Sequence, residues 1–269
     1  MIDALEYVST RPRLGTDKTK RAELEAMKAV AELEAKYRNP GRNQAHQRFL
    51  DAQSLAKPRA ACWKHARLEW DESYMQLVGV ILARRNPYSW LFALFARPYH
   101  QIGPRVTDFS DFIQQPWITI PRERMVEAVE SPAALWVEKM AAAHAFKTRA
   151  EIPVAWQSFE PFLADPVASL SQNLAILGQS SEGLTAVQRH TKTNEPLEIL
   201  QRRHAKEPWK QWLSASQVAK INEGLDANVV QDAGYHIENP EDYPAKLSAE
   251  GEAGLASYVD LNRLRRQLH

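Results

Sequence analysis

Cysteine is almost missing from this sequence: Cys62 stands alone among 269 residues. A disulfide framework is therefore excluded, and so is a cysteine-based zinc site. A reducing compartment fits such usage. An excess of one charge is missing as well. Lysine and arginine number 34, aspartate and glutamate 33, for a net charge of +1. General nucleic-acid binders usually carry a domain-wide basic excess, so that class is set aside, while a local anion site is not. No apolar run approaches the roughly 18 residues that span a bilayer. The segment from Met1 to Glu6 has neither the basic start nor the long apolar stretch of a signal peptide. No internal repeat, low-complexity block or His-Glu-x-x-His pattern occurs. The expectation is a cytoplasmic protein with no membrane span, no nucleic-acid partner and no metal.

What is there reads as globular. Hydrophobic residues make up 44% and charged residues 25%, near the average for folded domains, so wholesale disorder is excluded. A chain of this length buries roughly three quarters of its unfolded surface. That suffices for a single domain over residues 1–269.

Along the chain, Ala4 to Ser9 reads as a short strand and residues 10–16 as a loop. Leu24, Met27, Val30, Ala31 and Leu33 recur at helical spacing and predict a helix from Asp17 to Tyr37. A second helix is expected from Asn43 to Leu55, and a strand at Ala60 to Trp63. The apolar, β-branched run from Gln76 to Ala83 reads as a buried parallel strand. Asn86 and Pro87 then suit the N-cap and first turn of a helix through Phe95. Further helices are expected from Ala133 to Phe146, from Val167 to Leu177 with Gly178 closing it, and after the Ser214–Gln217 capping box. A strand is expected over Glu151 to Trp156, and a surface helix within residues 246–269. Strands alternating with helices predict an α/β fold. Its central parallel sheet is covered by helices on both faces, with a crevice at the carboxyl ends of its strands.

Two places offer anion chemistry. The loop holding Arg11, Arg13, Gly15 and Thr16 lies between a strand and a helix start. Backbone N–H groups, the helix dipole and an arginine fork all favour an anion there. The alternative is a solvated basic turn, since the full Gly-x-x-x-x-Gly-Lys-Ser/Thr pattern is lacking. Arg84 and Arg85 follow the buried run. They are either an anion site at the mouth of the crevice or a surface pair answering nearby acids. His65 follows the short strand at Ala60 to Trp63 and is a candidate base. His46, His100, His144 and His190 lack supporting context.

Several segments together resemble a known family. Residues Val80 to His100 resemble the 3′-phosphate-binding strand–turn–helix of the sulfotransferases that use 3′-phosphoadenosine 5′-phosphosulfate (PAPS). Ser158 to Pro166 is similar to that family's Arg-Tyr-Glu-Asp-Leu-Leu-x-Asp-Pro segment. Trp209 to Ser214, running on to Gly234 and Tyr235, resembles its C-terminal helix. Trp63, Lys64 and His65 occupy the place of its His-bearing loop, and Pro12 to Thr16 that of its 5′-phosphosulfate loop. The order and spacing agree over residues 60–236.

The resemblance implies a P-loop-type three-layer fold, rich in helices, and transfer of a sulfuryl group from PAPS to a hydroxyl or amine. It implies His65 as general base, and Arg13 as the group stabilising charge on the departing phosphosulfate oxygen. Arg11, Gly15 and Thr16 would cradle the 5′ end. Arg85 would pair with the 3′-phosphate, with Ser89 and Phe159 beside the nucleotide. Arg202 and Arg203 fall where the family closes a basic loop. The acceptor, a small molecule or a glycan, would be framed by residues 98–130 and 178–200. Leu14 stands in place of a hydroxyl, Asp17 brings a negative charge, and Ala93 occupies the position of a phosphate-binding serine. These departures favour an alternative: a non-catalytic binding or scaffold protein of the same fold with a decayed nucleotide site. A nucleotide kinase ranks third, because the second loop glycine and the Lys-Ser/Thr pair are absent.

Overall fold

The computed structural model describes residues 67–68, 79–98, 101, 106–119, 123, 125, 128–186, 188–189, 195–205 and 207–264. The apolar run ending at Ala83 forms β1 (Val80–Arg84). It pairs in parallel with β2 (Val154–Ser158), Val80 opposite Val154 and Arg84 opposite Ser158. Between them lie α1 (Pro87–Ala96), α2 (Phe109–Phe112) and α3 (Pro132–Arg149). After β2 come α4 (Phe159–Ala164), α5 (Pro166–Ile176) and α6 (Leu197–His204). A 3-10 turn (Pro208–Trp212) leads to α7 (Ala215–Glu223) and α8 (Ala227–Asp232), and α9 (Ala249–Leu264) follows. The chain is helix-rich, and its sheet among the described residues has two parallel strands.

Local chemistry sets most boundaries. Asn86 caps α1 by accepting from the Tyr88 and Ser89 N–H groups, with Pro87 in the first turn. Ser131 and Asp165 cap α3 and α5 in the same way. Each such cap contributes about 1 kcal/mol. Gly178, at φ 64°, ends α5: its N–H reaches the Ala175 carbonyl and the Gln179 N–H reaches that of Leu174. A glycine takes this left-handed position at no steric cost. Ser214 and Gln217 form the expected capping box, and Leu213 and Val218 on either side are both fully buried.

Alternation along the strands separates two faces. Leu82 and Val154 pack on Ala143 and Phe146 of α3. Gln157 points the other way and accepts from Asn173 of α5 at 2.7 Å while donating to Ser169 at 2.7 Å. The main core gathers around α1, whose Phe92 stacks on Phe109 of α2 and whose Phe95 meets Phe112 at a tilt.

Some expectations shift. The strand ends at Arg84 rather than Ala83, and Ala83 itself is exposed, so only Leu82 in β1 is fully buried. β2 begins at Val154, after Pro153, three residues later than expected, and α3 runs on to Arg149. The segment 98–130, expected to frame an acceptor, carries Phe109, Phe112, Ile113 and Trp117 into the core. The C-terminal helix is more than a surface element. It starts at Ala249, buries Val259, and lays Gly251 and Gly254 against Gln211 and Trp212. The expected elements at Ala4 to Ser9, Asp17 to Tyr37, Asn43 to Leu55 and Ala60 to Trp63 lie outside the described residues.

Candidate anion site at the end of the first strand

Because β1 stops at Arg84, the next residue leaves the sheet just as Asn86 starts α1. Arg85 is thereby fixed in a loop one residue long between strand and cap. The Trp136 indole N–H of α3 donates to the Arg85 carbonyl at 3.0 Å, holding the loop from behind. Its side chain turns toward α1, where Nε donates to Ser89 Oγ at 2.5 Å. The guanidinium lies over the Phe159 ring, 4.3 Å from its centroid. No carboxylate pairs with Arg85 among the described residues. Ser89 is itself buried.

A single acid organises the surroundings. Glu160, the second residue of α4, accepts from the Asn86 N–H at 3.0 Å and from the Tyr235 hydroxyl at 2.8 Å. Burial and the neighbouring Glu160 push the Tyr235 hydroxyl well above its ordinary range. Three segments far apart in sequence thus meet at one carboxylate: Arg84 to Asn86, Ser158 to Glu160, and Gly234 to Tyr235. Arg84 departs from Arg85. Its Nε donates to Ser158 Oγ at 2.8 Å, and it lies over Trp156, 5.2 Å from the centroid. Gly234, at φ 76°, lets the chain pass against that guanidinium; a Cβ there would stand 3.4 Å from it.

A depression open to solvent lies beside Arg85. Its polar end holds Arg85, Ser89, Arg203 and His204; its apolar wall holds Phe92, Trp209 and Trp212. Arg203 and His204 arrive on the last turn of α6, and the left-handed Glu207, at φ 42°, turns the chain so that Trp209 closes the same wall. Arg203 is paired through both terminal nitrogens with Glu195. His204 stands edge-on to Phe159 at 5.4 Å, the ring that also carries Arg85. Burial first, then the nearby Arg85 and Arg203 charges, hold its imidazole down at about 4, against a smaller opposing pull from Glu195. At neutral pH it is an uncharged ring between two guanidinium groups.

Arg85, Ser89, Phe159 and Arg203 are thus brought together. Arg202 is not. It is exposed, its Nε 3.4 Å from the Glu198 carbonyl, and it does not line the depression. Ala93 is half-buried and is not a lining residue either; Ser89, one turn after Arg85, supplies the hydroxyl. His65, Arg13, Arg11, Gly15 and Thr16 lie outside the described residues. The sequence reading missed His204, Glu160 and Trp136. An Arg-Arg-His run at a helix end was the available signal for the first; the other two announce themselves only through contacts between distant segments. Among the described residues, no group of three or more His, Cys, Asp or Glu side chains is placed to hold a metal ion, and no helix is long and apolar enough to cross a membrane. Compared with known protein families, curated proteins and solved structures, the chain matches none.

Proposed function

We propose that this chain binds the 3′-phosphate of a PAPS-type nucleotide on Arg85 and Ser89, and transfers its sulfuryl group to a hydroxyl or amine of a small molecule or glycan. One observation carries the reading: Glu160 ties three separate segments together in a way that leaves the Arg85 guanidinium without an acid among the described residues. An arginine held on an aromatic face and against a buried serine, yet unneutralised, is prepared for an external oxyanion. The three tied segments are also those whose sequences resemble the sulfotransferases. A P-loop-type three-layer fold belongs to the same proposal, with α3 and α5 on opposite faces of β1 and β2 as its supporting fragment. So does a cytoplasmic location.

In this reaction the acceptor oxygen or nitrogen attacks sulfur as the bond from sulfur to the bridging phosphate oxygen breaks. The acceptor proton goes to His65 and the developing charge on the departing oxygen is met by Arg13. The departures at Leu14 and Asp17 favour a second reading, a binding protein of the same fold without turnover.

Calorimetry with the desulfated nucleotide, adenosine 3′,5′-bisphosphate, tests the binding half: it should bind the wild type and bind Arg85→Ala far more weakly. Equal affinity removes Arg85 from the site. Radiolabelled transfer across a panel of hydroxyl and amine acceptors then separates the two readings. Binding without transfer to any acceptor favours the second.

A further inference from the structure

The charges in the depression do not balance for the ligand just proposed. The groups acting on His204 are Arg85 at the end of β1, Arg203 on its own helix and Glu195 just ahead of that helix. Glu160, on the neighbouring α4, is engaged by Asn86 and Tyr235. Glu207 pairs with Lys210 at 3.0 Å, and Tyr258 lines the depression from α9. With His204 neutral, two arginines against Glu195 leave a single net positive charge among the described residues. A singly charged anion would neutralise it. A doubly charged one would leave an excess negative charge in a partly desolvated place, and that excess is what an added proton cancels. His204 is the group in position to take it: it lines the same polar end as Arg85 and Ser89. Its ring nitrogens have no hydrogen-bond partner among the described residues.

We propose that this depression is a proton-linked site for a doubly charged oxyanion, in which a terminal phosphate or a sulfate between Arg85 and Arg203 draws a proton onto His204, making the imidazolium a third donor to the same anion. The proposal rests on the reading of Arg85 as an anion-binding residue and adds the charge state of the ligand and its coupling to pH. The oxyanion relieves the arginine charges that disfavour the imidazolium, and it supplies an acceptor for its N–H. Both effects push the ring back toward its ordinary range near 6.5. By linkage the effect is reciprocal: each pH unit of upward movement means the protonated protein holds the anion tenfold more tightly than the neutral one. Affinity should therefore rise as pH falls from about 6.5 toward 4 and level off below, for an anion whose own charge is constant over that range.

Sulfate is such an anion, so the test follows the His204 imidazole by NMR through a pH titration of the wild-type protein. Resonances are assigned through bonds. The arms are sodium chloride, sodium sulfate at matched ionic strength, adenosine 3′,5′-bisphosphate, and adenosine as the control without a phosphate. The expected result is a midpoint near 4 in chloride, raised by at least about one pH unit in sulfate and in the bisphosphate. Adenosine should leave it unchanged, and Arg85→Ala should abolish the rise. If the bisphosphate binds by calorimetry while the midpoint stays in place, the proton linkage is overturned and the nucleotide reading survives. If sulfate raises the midpoint but the bisphosphate does not bind, the proton linkage stands and the nucleotide reading falls. If neither ligand binds, both are overturned.

Discussion

Tyr88 and Ser89 are neighbours on α1, yet they serve opposite kinds of polar cluster. The Tyr88 hydroxyl donates to Asn222 at 2.5 Å and accepts from the Glu238 N–H at 2.9 Å. Asn222 returns to the Glu238 carbonyl at 2.9 Å, and Tyr243 donates to the Glu238 carboxylate at 2.8 Å. Lys210 and His236 face the other oxygen of that carboxylate, at 3.7 and 3.2 Å. The Tyr88 ring stacks on Trp209, and burial pushes its hydroxyl up to about 12. Most donors and acceptors of this cluster are paired with one another; Glu238 Oε1 is the exception, buried without a hydrogen bond and faced by Lys210 and His236. Across Trp209, the Ser89 side gathers Arg85, Arg203 and His204 against one acid among the described residues, Glu195. A satisfied network fixes structure; an unbalanced one at an open depression keeps its interaction energy for something that arrives.

Substitutions at the two neighbours should separate these roles. Tyr88→Ala removes a fully buried ring along with its hydroxyl and should cost about 3–5 kcal/mol in urea unfolding, whereas Tyr88→Phe, which orphans the Glu238 N–H, should cost about 1–3. A loss below about 1 kcal/mol for Tyr88→Ala would show that the closed cluster does not hold the fold. Arg85→Ala should do the reverse, changing stability by less than about 0.5 kcal/mol but weakening bisphosphate binding by about 1.5–3. A large stability loss with intact binding would place Arg85 among the structural residues.

His204 sharpens the contrast through pH. In the folded chain it is held at about 4, against about 6.5 when unfolded. Between those values the unfolded chain binds more protons, so stability falls as pH drops from about 6.5 toward 4 and levels off below. Compared with His204→Gln, the wild type should lose about 1–2 kcal/mol more over that window, after allowance for water reaching a half-buried ring. Parallel pH profiles for the two proteins would contradict this. The smallest effect is expected from Ser89→Ala, which frees Arg85 Nε without removing a charge. Nucleotide affinity should fall by about 0.5–1 kcal/mol, with kinetics of association unaltered. An unchanged affinity would mean that the serine neither contacts the phosphate nor orients Arg85 toward it.

Part of this arrangement was legible in advance because its causes are local. Asn86 with Pro87, Asp165 with Pro166, and Ser214 with Gln217 write helix starts within a few residues, and each forms where expected. Arg85 could be singled out because a charge following an apolar strand has few structural uses. Arg202 and Arg203 were indistinguishable by sequence, since adjacent residues on a helix project about 100° apart and only the packing of α6 decides which faces inward. Glu160 was legible as part of a motif but not as its organiser, because its partners Asn86 and Tyr235 lie 74 and 75 residues away. The burial of the segment 98–130 was hidden for a related reason. Phe109, Phe112 and Trp117 find their partners on α1 and on one another, not in a pattern of regular spacing.

The Glu160 junction also has a history in time. Tyr235 follows Asn86 by 149 residues, and at about 5–20 residues per second of synthesis the ribosome needs roughly 7–30 s to deliver it. For that interval β1 and the first turn of α1 exist without the clasp that orders Arg85. A growing chain therefore carries these cations before it carries the geometry that fixes them. On the proposed reading, oxyanion capture would be among the last properties this polypeptide acquires as it is made.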